Sequence, residues 1–132
     1  MKEFVKGLHH AGIPVKDMDA TIKFYESLGA SVYLSKEDMD DNEPIRVVIF
    51  EFGGVYIETY ERKIAAGKEG AIDHLAFQVS NIDEMYRLAK EKGCHLMEEC
   101  KTEIQPTTYW PGSIRWFIII GPNGEKLEFC EG

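Results

Sequence analysis

Two histidines and two glutamates stand at matching points of this 132-residue chain. His10 opens the run His10-Ala-Gly-Ile-Pro-Val-Lys-Asp17, and His74 opens His74-Leu-Ala-Phe-Gln-Val-Ser-Asn81. Position 74 follows position 10 by 64 residues, and Gly93 follows Gly29 by the same 64. Further on, Ile57-Glu58 aligns with Leu127-Glu128, now 70 residues apart. A single strand histidine or glutamate is ordinarily structural or solvated; matched pairs in two repeats are what single out these four. Two imidazoles and two carboxylates suit a borderline divalent ion, Zn²⁺, Ni²⁺, Co²⁺ or Fe²⁺, better than an oxygen-seeking ion such as Mg²⁺. On an octahedral ion, four protein ligands leave two positions open, which a catalytic metal needs.

The elements that must carry these side chains repeat as well. In the first copy Ala11, Ile13 and Val15 alternate with His10, Gly12 and Pro14; in the second, Leu75, Phe77 and Val79 alternate with His74, Ala76 and Gln78. Period two with one apolar face predicts a half-buried strand. Asp17 and Asn81 then cap helices, with Asn81 and Glu84 spaced as a capping box, and Gly29 and Gly93 end them. Ile22, Tyr25 and Leu28 mark the apolar side of the first helix, and Ile82, Met85, Leu88 and Ala89 that of the second. Three further strands follow in each copy: about Ser31–Ser35, Arg46–Phe50 and Val55–Tyr60, then about His95–Glu98, Arg115–Ile120 and Lys126–Cys130. The second copy carries about six extra residues, assigned to the loop Thr102–Ser113. The expected fold is α+β, with two βαβββ repeats forming a curled mixed sheet or half-barrels and helices on the outside. It is read as a single domain over 1–132, with repeat one at about 6–60, a linker at about 61–71 and repeat two at about 72–132.

On this pattern Val55, Ile57 and Thr59 face the helix layer, as do Leu127 and Phe129. Glu58 and Glu128 point the other way, as do His10 and His74. A curled sheet would turn that face inward, toward a cavity. His9 competes with His10 for the first ligand position, but it shares a face with Ala11, Ile13 and Val15, so His10 is preferred. His95 is read as a surface residue.

The net charge of −8 and the lack of a Lys/Arg stripe argue against nucleic acid as a partner. No apolar run approaches the roughly 20 residues of a membrane helix. Met1–Leu8 has no signal-peptide pattern, so a cytoplasmic location is expected. Cys94, Cys100 and Cys130 are odd in number and lack CxxC spacing, which fits reduced structural thiols.

Leu8-His-His-Ala-Gly-Ile-Pro-Val-Lys-Asp17 followed by Phe24-Tyr25, then Ile72-Asp-His-Leu-Ala-Phe-Gln-Val79 and Pro122-Asn-Gly-Glu-Lys-Leu-Glu128, resembles the vicinal oxygen chelate superfamily. That superfamily includes glyoxalase I, fosfomycin resistance proteins, methylmalonyl-CoA epimerase and extradiol dioxygenases. The resemblance covers nearly the whole chain and puts the family's metal positions on His10, Glu58, His74 and Glu128. A His/Glu/His/Glu set is most like bacterial glyoxalase I. Epimerases commonly have Gln in place of Glu58, and fosfomycin enzymes and dioxygenases use the two histidines and the last glutamate.

The resemblance implies a glyoxalase I-like lyase or isomerase. It would convert the hemithioacetal of a thiol and a 2-oxoaldehyde such as methylglyoxal into a 2-hydroxyacyl thioester, through an enediolate that the metal stabilises. Glu128 is the implied base, with Glu58 as ligand or partner. The alternatives are an epimerase acting beside an acyl-CoA-type thioester, an iron extradiol dioxygenase, and a binding or resistance protein without turnover. A small-molecule substrate and a homodimer are implied, the two halves closing within one chain or across the dimer. Tyr109 and Trp110, in the loop Thr107-Thr-Tyr-Trp-Pro-Gly112, either cover the substrate or pack over the barrel mouth. Arg46, Arg115 and Lys126 are the candidate basic contacts; they make no decisive set for the carboxylates of glutathione.

Overall fold

The structure is a computed structural model that describes residues 2–4, 6, 8–40, 42–106 and 113–132. The chain divides into two compact units, Met1–Ala65 and Ala66–Gly132. Each unit is a four-stranded mixed sheet with one helix packed on it.

In the first unit, β1 (His10–Val15) leads into α1 (Met18–Ser27), followed by β2 (Ser31–Asp40), β3 (Glu43–Phe52) and β4 (Val55–Glu61). The sheet order is β1-β4-β3-β2, with β1 parallel to β4 and the other pairs antiparallel. In the second unit, β5 (Leu75–Gln78) leads into α2 (Ile82–Glu91), then β6 (Gln105–Pro106), β7 (Arg115–Ile120) and β8 (Lys126–Glu131). The order β5-β8-β7-β6 repeats the first, with β5 parallel to β8. These are the expected βαβββ repeats, and neither sheet closes on itself.

Both helices start and stop where their end residues dictate. The Asp17 side chain accepts from the Ala20 N–H at 3.0 Å, and the Asn81 side chain from the Glu84 N–H at 3.2 Å. Only half of the expected capping box forms, because the Glu84 carboxylate is held by Arg87. Gly29 (φ 97°) follows the first helix and Gly93 (φ 71°) the second, each in the left-handed region that costs glycine little. Met18, Thr21 and Tyr25 are the buried residues of α1, and the Tyr25 ring packs tilted against Phe50 of β3 at 4.9 Å between ring centres. In the second unit Phe117, Phe129 and Leu127 are fully buried beneath α2.

Two strands differ from the expected pattern. The β2–β3 hairpin runs several residues beyond Ser35 and before Arg46, with pairing as far as Asp40 opposite Glu43. Its arm carries Lys36, Glu37, Asp38 and Glu43, so no apolar alternation marks it. Charge on an edge strand also discourages pairing with other chains. The strand expected at His95–Glu98 is reduced to a single bridge between Leu96 and Ile119, after which Glu98–Cys100 forms a 3-10 turn. The edge position beside β7 is instead shared by this bridge and by β6, which pairs at Trp116 and Arg115.

One salt bridge recurs in both units. Arg46 of β3 reaches Asp19 in the first turn of α1 at 2.7 Å, and Arg115 of β7 reaches Asp83 in the first turn of α2 at 2.6 Å. Asp83 follows Asp19 by the repeat offset of 64. The hydrogen bond from Arg115 holds the Asp83 carboxyl below its ordinary value. Both pairs are exposed to water, so they orient helix on sheet more than they stabilise it.

A candidate metal centre in two halves

Strand register places the ligand candidates alike in both units. Glu58 lies in register between Gly12 of β1 and Ile49 of β3. Glu128 lies between Ala76 of β5 and Ile118 of β7. Each glutamate therefore has a small residue on one side and an isoleucine on the other. Alternate residues of the same strands face the helices: Ile57, Thr59, Leu127 and Phe129 are all buried. Thr59 donates from Oγ1 to the Val48 carbonyl at 2.6 Å and lies 3.4 Å from the Met18 sulfur, which fixes its side as the helix side.

Each histidine meets its own glutamate. His10 Nε2 is 3.6 Å from Glu58 Oε2, and His74 Nε2 is 3.3 Å from Glu128 Oε2. Two neighbouring ligands of a tetrahedral or octahedral ion, with bonds of about 2.1 Å, lie roughly 3.0–3.4 Å apart. The donor atoms in each pair thus have nearly the spacing that two sites on one ion demand, and a mixed imidazole–carboxylate set fits a borderline divalent ion. Among the described residues, no group of three or more His, Cys, Asp and Glu side chains gathers that could hold a metal ion; each unit contributes one His–Glu pair.

The two glutamates differ in surroundings. The Glu128 side chain is 16% exposed and that of Glu58 36%. Burial pushes the Glu128 carboxyl above its ordinary value, and the neighbouring His74 only partly opposes this. A carboxyl raised in this way suits a group that must take and return a proton.

Behind each histidine lies a second partner. His74 Nδ1 is 2.9 Å from Asp73 Oδ2, and Lys126 Nζ is 3.2 Å from the other oxygen of Asp73. The hydrogen bond with His74, and then that with Lys126, holds the Asp73 carboxyl below its ordinary value. In the first unit the equivalent partner is His9, whose Nδ1 lies 2.9 Å from Nδ1 of His10. Sequence pattern marks His9 only as a rival ligand and does not mark Asp73; their place directly ahead of the two histidines is the one signal it offers.

Of the basic candidates, Arg46 and Arg115 are engaged on the helix side, and Lys126 is on the same side of its strand as Glu128. Tyr109 and Trp110 lie outside the described residues. A β-bulge between Val32 and Leu34 brings Tyr33 to within 4.8 Å of Tyr56, ring centre to ring centre. Tyr56 shares the strand face of Glu58, and no pattern in the sequence announces a bulge. Cys94, Cys100 and Cys130 are free, and burial pushes all three thiols up, which keeps them protonated.

Gly12 shows how much room the first pair has. A Cβ there would sit 3.7 Å from the Tyr60 ring and 3.9 Å from Glu58 Oε1, which is ordinary contact. Gly12→Ala makes the position match Ala76, and it is expected to raise stability by about 0.5 kcal/mol because glycine weakens a strand. Urea denaturation checks this; a loss of 1 kcal/mol or more would mean that the strand needs glycine's backbone.

A mixed sheet whose first and last strands run parallel, made twice, with a His–Glu pair on the face away from the helix in each copy, defines a protein of the paired βαβββ type. The family profile described as the Glyoxalase/Bleomycin resistance protein/Dioxygenase superfamily matches residues 7–129, and the chain belongs to that superfamily. It is 30% identical to the uncharacterized protein YwbC of Bacillus subtilis (strain 168), over 96% of this chain and 98% of that protein. A glyoxalase family protein from Enterococcus faecalis shares its fold with a TM-score of 0.74 at 21% identity, covering 97% of this chain and 99% of the other. The fosfomycin resistance protein FosX from Listeria monocytogenes, in complex with Mn(II) and sulfate, does so with a TM-score of 0.72 at 21% identity, covering 98% and 94%. The superfamily's description names enzymes, glyoxalases and dioxygenases, beside a resistance protein. No helix among the described residues is long and apolar enough to cross a membrane.

Proposed function

We propose that this protein is a metal-dependent isomerase of the glyoxalase I type, acting on the hemithioacetal of a 2-oxoaldehyde and a thiol. The observation that carries the reading is the pair of register-equivalent His–Glu contacts, 3.6 Å and 3.3 Å long, one in each unit. His10, Glu58, His74 and Glu128 would together hold one divalent ion, drawn from one chain or from two chains of a homodimer. A bound divalent ion supplies Lewis-acid stabilisation to negative charge on neighbouring substrate oxygens.

The chain's own residues supply the rest. Glu128, with its carboxyl raised by burial, takes the proton from the carbon bearing oxygen and sulfur and returns a proton to the adjacent carbon. The reaction is a rearrangement: the former aldehyde carbon, still bonded to the thiol sulfur, becomes the thioester carbonyl, and the former ketone carbon gains the proton and bears the hydroxyl, with no outside reductant or oxidant. Glu58 is the less buried carboxylate and stays the ligand. Tyr33 and Tyr56 offer an apolar wall to the substrate's carbon chain. The presence of Glu58 favours this chemistry over the three-ligand sets of fosfomycin enzymes and dioxygenases.

Two measurements test the reading. Elemental analysis of protein loaded with Ni²⁺, Zn²⁺, Co²⁺, Fe²⁺ or Mn²⁺ should find one ion per chain, and His10→Ala and His74→Ala should each remove essentially all of it. Two ions per chain, with each variant losing one, would mean that the pairs bind independently. Methylglyoxal with a panel of thiols should then give metal-dependent thioester absorbance. The likeness to the Mn(II) complex of FosX favours fosfomycin as the comparison substrate. Consumption of fosfomycin without thioester formation would move the assignment to the resistance branch.

A further inference from the structure

The residue directly ahead of each ligand histidine contacts the ring nitrogen that faces away from the glutamate. Asp73 and His9 are 64 positions apart, so they are the same position of the repeat. In the second unit the contact is a carboxylate oxygen 2.9 Å from His74 Nδ1, while Nε2 faces Glu128 at 3.3 Å. In the first unit it is an imidazole nitrogen 2.9 Å from His10 Nδ1, while Nε2 faces Glu58 at 3.6 Å.

We propose that Asp73 and His9 are positioning residues that set the tautomers of His74 and His10, and that they do so unequally. A neutral imidazole carries one N–H, and a metal needs the nitrogen without it. A carboxylate accepts but does not donate when ionised, so Asp73 draws the His74 proton to Nδ1 and leaves the Nε2 lone pair free. Lys126, 3.2 Å from Asp73 Oδ1 and 3.5 Å from Glu69 Oε1, keeps that carboxylate in place. His9 is ambiguous by comparison. Its Nδ1 can accept from His10, which readies His10 Nε2 as a ligand, or donate to it, which moves the His10 proton to Nε2 and blocks that atom. The second half is therefore set for metal before any ion arrives, whereas the first has two nearly matched arrangements.

This inference rests on the metal-site reading for its consequence, but not for its first test. In metal-free protein at about pH 8, where an ordinary imidazole is neutral, ¹⁵N correlation spectra should show His74 mainly as the Nδ1–H tautomer. His10 should be a mixture. Asp73→Ala should move His74 toward Nε2–H, and Asp73→Asn, whose Oδ1 still accepts, should hold it near the wild-type form. Competition with a chromophoric chelator should then show Asp73→Ala weakening metal binding about 10- to 100-fold. His9→Asp, which copies the second half into the first, should tighten binding several-fold, a gain that a merely structural role would not give. Wild-type His74 found mainly as Nε2–H, an Asp73→Ala protein unchanged in tautomer and within twofold in affinity, or looser binding in His9→Asp would overturn the proposal. If the wild type binds no ion, the metal-site reading falls, and the tautomer shift in Asp73→Ala alone decides this one.

Discussion

Replacing Glu128 with glutamine is expected to lower thioester formation by about 10²- to 10⁴-fold, the usual worth of a positioned general base, while making the metal-free protein more stable. The two effects share a cause. Burial between Ala76 and Ile118 raises the Glu128 carboxyl above its ordinary value. The folded state therefore holds this proton more tightly than the unfolded chain does. The group favours folding below the ordinary carboxylate range, and that advantage is lost as pH rises through the raised folded value. At neutral pH the ionised carboxylate works against the fold, and a neutral amide of the same shape removes that penalty. Trading a costly polar group for stability commonly gains about 1 kcal/mol. For a domain of this size, 1 kcal/mol is roughly 3–5 °C in melting temperature. The gain should shrink toward acid pH, where the wild-type carboxyl is protonated as well. Near-normal turnover in Glu128→Gln would take the residue out of the base role. A melting temperature below wild type at neutral pH would show that the carboxylate is not a burden on the fold.

Phe117→Ala should be the most damaging single truncation on the sheet of the second unit. Its side chain is fully buried, with its ring 5.2 Å from Tyr86 of α2 and 5.3 Å from Phe129 of β8, ring centre to ring centre. Phe129 in turn lies 6.1 Å from Phe77 of β5, so one ring ties the helix to three strands through a single aromatic row. Truncating a buried phenylalanine costs about 3–5 kcal/mol, the lost transfer energy plus the cavity left behind. Domains are stable by only about 5–15 kcal/mol, so this is a third or more of the total. Urea midpoints, compared at constant slope, check it. Phe4→Ala is the control, because Phe4 is 79% exposed and its loss should change the midpoint little. A Phe117→Ala protein within 1 kcal/mol of wild type would mean that the aromatic row repacks.

Much of the architecture is legible in residue order because it is written twice. The alternation in His10–Val15 and its echo from His74, the caps Asp17 and Asn81, and the glycines at 29 and 93 specify strands and helices through local preferences that need no distant partner. The same period of two assigns Glu58 and Glu128 to the side away from the helices. Local rules fail where a strand lacks apolar alternation or is interrupted. The charged arm of the β2–β3 hairpin pairs as far as Asp40 opposite Glu43 without apolar alternation, and the expected strand at His95–Glu98 gives way to a bridge and a 3-10 turn.

Residue types and repeat spacing by themselves determined the duplicated βαβββ plan and the four candidate ligands, because side-chain period and capping act over a few residues. Only the tertiary structure decided who stands behind those ligands. It committed Arg46 and Arg115 to helix acids, turned Tyr33 toward Tyr56 through a bulge, and set Asp73 and His9 against the far nitrogens of the two histidines. Such contacts depend on strand register and side-chain direction. Those are settled by packing between segments far apart in the chain; even for Asp73 and His9, adjacency to the histidines marks the candidates but does not fix which way the side chains turn.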